Sequence, residues 1–347
     1  MPADDTPTSP DTSVEEDQSD AAGRRARGEF VRGRSGFRAW LGEADFPAEP
    51  GRYHLYVALN CPWCHRVTLA RSVLGLEGAV TMDVAFPTRT GEGDPAGAGL
   101  WEFSPDRTAA LTGAPLPECT EETGTGDGLR LAVEIYAREG AEERSLPILY
   151  DKRAGLIVNN ESAEILRMLN AQADALGSAQ AGADRRDLYP EDLRAEIGAL
   201  NDLIYRTINN GAYKAGFSSD QAVYDAAFAA YFETLAELER RLGDGRPFLT
   251  GERFTEADLR LFPTLYRHDP VYYLRMKLNG AKILDHPHLW RWLCRVYALP
   301  GVAEASALTH CMQGYFGRSW NQVVPRGPLA PMRYPDAYRH PELAQEG

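Results

Sequence analysis

With 347 residues, 44% of them hydrophobic, the chain can bury a large core and has the length of two domains. A net charge of -13 with scattered arginines repels a phosphate backbone more than it attracts one, so no nucleic-acid partner is expected. No apolar stretch reaches the roughly 20 residues that cross a bilayer, and the start is acidic and polar where a signal peptide is basic and then greasy, so a cytoplasmic protein with no membrane partner is expected.

Residues 1–28 are Asp, Ser, Thr, Pro and Gly ending in "GRRARG", a tail expected to be disordered because it has little apolar surface to bury. The domain from 29 to 170 opens its regular structure at "GRYHLYVAL". There Tyr53, Leu55, Val57 and Leu59 alternate with Arg52, His54 and Tyr56, the period of a half-buried strand. This strand runs into Cys61, after which Pro62 suits the first residue of a helix and Val67, Leu69, Ala70, Val73 and Leu74 supply its inner face. "AVTMDVAF" then reads as a second strand, parallel to the first across a βαβ crossover. A Gly-rich insert occupies 87–128. "SLPILYDKRAGLIVNNESAEILRML" follows as strand, turn, strand and a helix opening near Glu161 and Ser162. Strand, helix, strand, then two strands and a helix is the thioredoxin-like order. Proline in a sheet marks an edge or a special bend, and a cis Leu146–Pro147 bond facing the cysteine turn would account for it.

Residues 171–190 read as a linker, and 191–347 as an all-helical domain. Leu193, Ile197, Leu200, Ile204 and Ile208 recur at helical spacing, as do Tyr224, Phe228, Tyr231, Leu235, Leu238 and Leu242. In "TGERFTEADLRLF", Thr255 and Asp258 stand three apart, the arrangement of a capping box.

Five cysteines, at 61, 64, 119, 294 and 311, form an odd set without framework spacing, as expected of reduced thiols. Cys61 and Cys64 form a Cys-x-x-Cys, which can hold zinc, cycle as a disulfide, or supply one reactive thiolate with a companion. Zinc needs two further ligands at metal spacing, yet the nearest is His65 on the same helix, so no metal is expected. At the start of a helix Cys61 faces the positive end of the dipole and its N–H groups. That setting favours thiolate, the attacking species.

The motifs "GEFVRGRSGFRAW", "GRYHLYVALNCPWCHRV", "NNESAEILRMLN", "INNGAYKAGF", "TEADLRLFPTLYRHDPVYY" and "HCMQGYFGRSWN" together resemble the glutathione transferase superfamily. More narrowly, the chain resembles the glutathionyl-hydroquinone reductases, the Xi class, over about residues 29–335. The resemblance implies a thioredoxin-like N-terminal domain joined to an all-α C-terminal domain, assembled as a homodimer. It also implies that Cys61 attacks the sulfur of a thioether between glutathione and a hydroquinone ring, releasing hydroquinone and leaving a mixed disulfide for a second thiol to resolve. Leu146, before Pro147, would pair its backbone with the cysteinyl part of glutathione. Glu161 and Ser162 would take the γ-glutamyl end, and Trp101 would lie beside the tripeptide. Tyr213, Tyr272 and Tyr315 would hydrogen-bond the quinol oxygens.

Where many members of the class carry a small residue after Cys-Pro-Trp, this chain has Cys64, so an internal disulfide with Cys61 competes with resolution by a thiol from solution. Its Ala-, Gly- and Arg-rich composition resembles that of high-GC bacteria, several of which use mycothiol, which leaves the co-substrate open between glutathione and mycothiol. Two other functions share the fold: an omega-like thiol transferase or dehydroascorbate reductase, and a non-catalytic binding protein.

Overall fold

Four strands build the sheet that carries the cysteine turn: β1 (Tyr53–Val57), β2 (Thr81–Val84), β3 (Ile148–Asp151) and β4 (Leu156–Asn159). Their order is β2-β1-β3-β4, with β1 parallel to β2, antiparallel to β3, and β3 antiparallel to β4. This computed structural model describes residues 24–25, 28–31, 33, 35–112, 128–180, 186–317 and 323–325; the tail expected at 1–28 and Cys119 lie almost wholly outside them. Contacts divide the chain into two units, one of 35–186 with 304–324 and the other of 187–303 with the described residues before 35.

In the first unit the alternation of β1 does not produce a half-buried strand, because all five of its residues are buried. β1 lies inside the sheet, and its second face is covered too: the Tyr56 ring meets Phe103 at 5.4 Å and Tyr150 at 5.9 Å. β1 leads through Cys61 into helix α1 (Pro62–Val73), with Pro62 in the first turn as its fixed φ favours. Two helices that the sequence reading leaves out stand between β2 and β3, α2 (Pro105–Thr112) within the insert and α3 (Ala132–Arg138) just after it. Each is about two turns long, too short for an apolar stripe to stand out from its surroundings. After β4 comes α4 (Ser162–Ala171), which packs against α1. Residues 37–39 run beside β4, where Ala39 N–H donates to the Val158 carbonyl at 3.1 Å and Asn160 N–H to the Phe37 carbonyl at 3.1 Å. Arg38 pairs with the buried Glu164 of α4, which fixes this segment against the helix start.

The second unit is helical. α5 (Arg194–Leu203) passes through wide π-type turns at Ile204–Asn209 into α6 (Asn210–Phe217), and α7 (Gln221–Leu242) is capped by Asp220, whose carboxylate accepts from Val223 N–H at 3.0 Å. α8 (Glu256–Arg267) carries the expected box: Thr255 N–H donates to Asp258 Oδ2 at 3.0 Å. α9 (Pro287–Tyr297) ends the set. The last helix among the described residues, α10 (Leu308–Phe316), packs with the first unit although it follows the helical segment in sequence.

Candidate active site

Topology brings three segments to one end of the sheet. β1 and β4 both run antiparallel to β3, so they run parallel to each other, and α1 and α4, which follow them, begin at the same end. Residues 146–147, which lead into β3, lie at that end too. Cys61 is the N-cap of α1 with extended backbone (φ -80, ψ 123), is half-buried, and has its thiol directed at the Leu146 carbonyl, 3.9 Å away. Leu146–Pro147 is cis. Cys64, one turn inside α1, is fully buried, and neither thiol is in a disulfide.

Glu161 is the N-cap of α4, and Ser162 is its first residue; both are buried. The Glu161 carboxylate accepts from Ala163 N–H at 3.2 Å and from the Ser162 hydroxyl at 3.3 Å, and on its other oxygen from the Ser35 hydroxyl at 3.1 Å. A carboxylate held at a helix start, beside the positive end of the helix dipole, offers charges of both signs to an amino acid. Two residues that the sequence reading missed brace this arrangement. Ser35 lies within the motif "GRSGFR", although nothing in its local pattern marks it as a neighbour of Glu161. Tyr136 of α3 donates to the Ser145 carbonyl at 3.1 Å and accepts from Asn160 Nδ2 at 3.0 Å, tying the residue before Leu146 to the residue before Glu161. Burial raises the Tyr136 phenol to about 12, so it stays protonated as that donor.

Trp101 is buried, its ring covered by the Arg89 guanidinium at 4.2 Å. Tyr315, on α10, is half-buried in the same unit as Cys61. Tyr213 and Tyr272 belong to the second unit, where their rings meet edge to face at 6.3 Å and Phe30 and Phe217 pack on Tyr213 at 5.8 and 5.6 Å. Tyr213 keeps part of its surface exposed, and Tyr272 is fully buried. Among the described residues no cluster of three or more His, Cys, Asp or Glu side chains is placed to hold a metal ion, and no helix is long and apolar enough to cross a membrane.

A thioredoxin-like sheet with a cysteine N-cap, a cis-proline opposite it and an acidic helix start, followed by a helical unit, is the architecture of a glutathione transferase. Family models described as "Glutathione S-transferase, N-terminal domain" and "Glutathione S-transferase, C-terminal domain" match residues 60–172 and 221–295. Glutathionyl-hydroquinone reductase YqjG of Escherichia coli is 40% identical over 86% of this chain and 88% of its own length. Glutathionyl-hydroquinone reductase PcpF of Sphingobium chlorophenolicum is 36% identical over 88% and 91%. The crystal structure of the glutathione transferase Xi from Phanerochaete chrysosporium superposes with a TM-score of 0.74 at 36% identity, over 86% of this chain and 98% of that one. The chain belongs to the glutathionyl-hydroquinone reductases, the Xi class of the glutathione transferase superfamily.

Proposed function

We propose that this enzyme reduces S-glutathionyl hydroquinones to hydroquinones, with glutathione as reducing co-substrate and Cys61 as nucleophile. The observation that carries this reading is Cys61 itself, a half-buried N-cap thiol beside the carbonyl that precedes cis-Pro147. The Cys61 thiolate attacks the thioether sulfur and forms an S–S bond to glutathione. The carbon–sulfur bond breaks with its electron pair passing to the ring carbon, which takes a proton and leaves as hydroquinone. A second glutathione thiolate then attacks the mixed disulfide, giving glutathione disulfide and restoring Cys61.

Ser162 and the first N–H groups of α4 bind the γ-glutamyl carboxylate, Glu161 binds its ammonium, Leu146 pairs with the cysteinyl backbone, and Trp101 flanks the tripeptide. The ring oxygens are assigned to Tyr213, Tyr272 and Tyr315, whose hydroxyls can hydrogen-bond them and donate a proton to the departing carbon. The enzyme works as a homodimer in the cytoplasm.

The tyrosines separate this reaction from generic thiol transfer, and Tyr213 and Tyr315, which keep exposed surface, are the ones to substitute. Loss of a hydroxyl removes a hydrogen bond worth about 0.5–1.5 kcal/mol, so Tyr213→Phe and Tyr315→Phe should each slow turnover of a glutathionyl-menadiol adduct severalfold. Reduction of the mixed disulfide with 2-hydroxyethanethiol, which has no ring oxygens, should be unchanged. Equal slowing of both reactions, or of neither, would favour an omega-like transferase. Running the adduct assay with glutathione and with mycothiol in parallel fixes the co-substrate.

A further inference from the structure

α10 touches the cysteine turn at both residues that precede the nucleophile. The turn closes through Cys61 N–H to the Ala58 carbonyl at 2.9 Å, leaving Leu59 and Asn60 to set where Cys61 sits. The buried Cys311 thiol of α10 donates to the Leu59 carbonyl at 3.8 Å. One turn further on, Gly314 lies directly against Asn60: a Cβ at position 314 would come within 2.6 Å of Asn60 Cγ and 2.8 Å of its Cβ. The segment is also fastened by the Gln313 amide to the Thr88 hydroxyl at 3.3 Å and by Ser306 Oγ to His65 Nε2 in the first turn of α1 at 3.0 Å. Both bonds oppose a shift of the helix away from the turn. Glycine inside a helix is destabilising relative to alanine, and Gly314 is inside one; its close approach to Asn60 is what the missing Cβ permits.

From this contact we infer that Gly314 and Asn60 are positioning residues for Cys61, and that α10 is a working part of the cysteine site. The helix holds Leu59 by a hydrogen bond and Asn60 by shape, which fixes the N-cap conformation of Cys61 at the start of α1, with its thiol directed at the Leu146 carbonyl. Since Tyr315 is the next residue, the same contact fixes its place relative to the turn.

The inference rests on Cys61 being the reactive thiol, but its test needs no quinol. Alkylation of Cys61 by iodoacetamide, followed against pH and read at its own peptide by mass spectrometry, reports thiolate formation at that residue. Gly314→Ala pushes Asn60 aside and should slow alkylation at neutral pH threefold or more, with the pH midpoint moved upward. In an Asn60→Gly background, where no side chain is left to displace, Gly314→Ala should change the rate by less than twofold. A merely structural glycine would lower the thermal midpoint without moving the alkylation profile, and that result overturns the inference. So does equal slowing with and without the Asn60 side chain. If Gly314→Ala does not fold, Cys311→Ala, which removes the hydrogen bond to Leu59, should shift the profile in the same direction; an unmoved profile again overturns it. Coupling between 314 and 60 in a protein that fails to turn over the adduct would leave the positioning role standing and reject the proposed reaction.

Discussion

Cys61 and Cys64 show how one turn of helix divides two thiols. Cys61 sits outside the first turn, half-buried with its sulfur against the Leu146 carbonyl, whereas Cys64 points into the core and is fully buried. We propose that the half-buried thiol attacks and that the buried one competes with a second glutathione to resolve the mixed disulfide. Cys64→Ala should therefore retain turnover but accumulate the Cys61–glutathione mixed disulfide when glutathione is scarce, visible by intact mass; complete inactivity would reverse the assignment. The positions of Cys61, Glu161 and Ser162 at helix starts and of Pro147 just before a strand are readable from local pattern, whereas the binding roles of Leu146, Glu161 and Ser162 rest on the family resemblance. Ser35 and Tyr136 are not readable in this way, since what marks them is a hydrogen bond to a residue more than a hundred positions away, in the case of Ser35, and a link between two loops, in the case of Tyr136.

At the scale of elements, the strand–turn–helix pattern and the long amphipathic helices followed from periodicity, while β1 shows its limit. Alternation of residue type predicted one wet face, but a central strand is covered on both, and aromatic residues serve there as well as aliphatic ones. The start of α8 was read correctly for a local reason and does more than that reading contained. Asp258 accepts from Thr255 N–H at 3.0 Å, and also from Leu249 N–H and from Trp292 Nε1 of α9, both at 2.8 Å. One side chain thus caps a helix, holds the loop before it and anchors a second helix. Each buried donor left unpaired costs about 1–3 kcal/mol, so Asp258→Ala should lower the urea midpoint by the equivalent of several kcal/mol. A loss below about 1 kcal/mol, the worth of a cap alone, would show that the loop and α9 do not depend on it.

For the molecule as a whole, the pattern of the sequence turns helical near residue 190, yet periodicity could not show that α10 packs with the first unit; only tertiary contacts reveal it. α10 also carries His310, whose buried imidazole is pushed down to about 4. The unfolded chain takes up that proton near its ordinary pKa of 6.5, so the stability His310 confers is complete above that pH and is lost as pH falls toward 4. At most this amounts to about 3 kcal/mol. Asp258 and Asp269, raised to about 6 by burial, act in the opposite sense below pH 6. The histidine contribution is therefore the difference between the native protein and His310→Gln, which should narrow between pH 7 and pH 4.5; a difference independent of pH would contradict it. The central claim, that Cys61 takes glutathione from a hydroquinone, is tested most directly by a single turnover. Mixing the Cys64→Ala protein, which lacks an internal thiol to resolve the mixed disulfide, with a glutathionyl-menadiol adduct and no added thiol should release one equivalent of menadiol and leave one glutathione mass on the Cys61 peptide, with neither seen for Cys61→Ser. Menadiol release by Cys61→Ser within about tenfold of the native rate would contradict the account, since loss of a covalent nucleophile costs several decades.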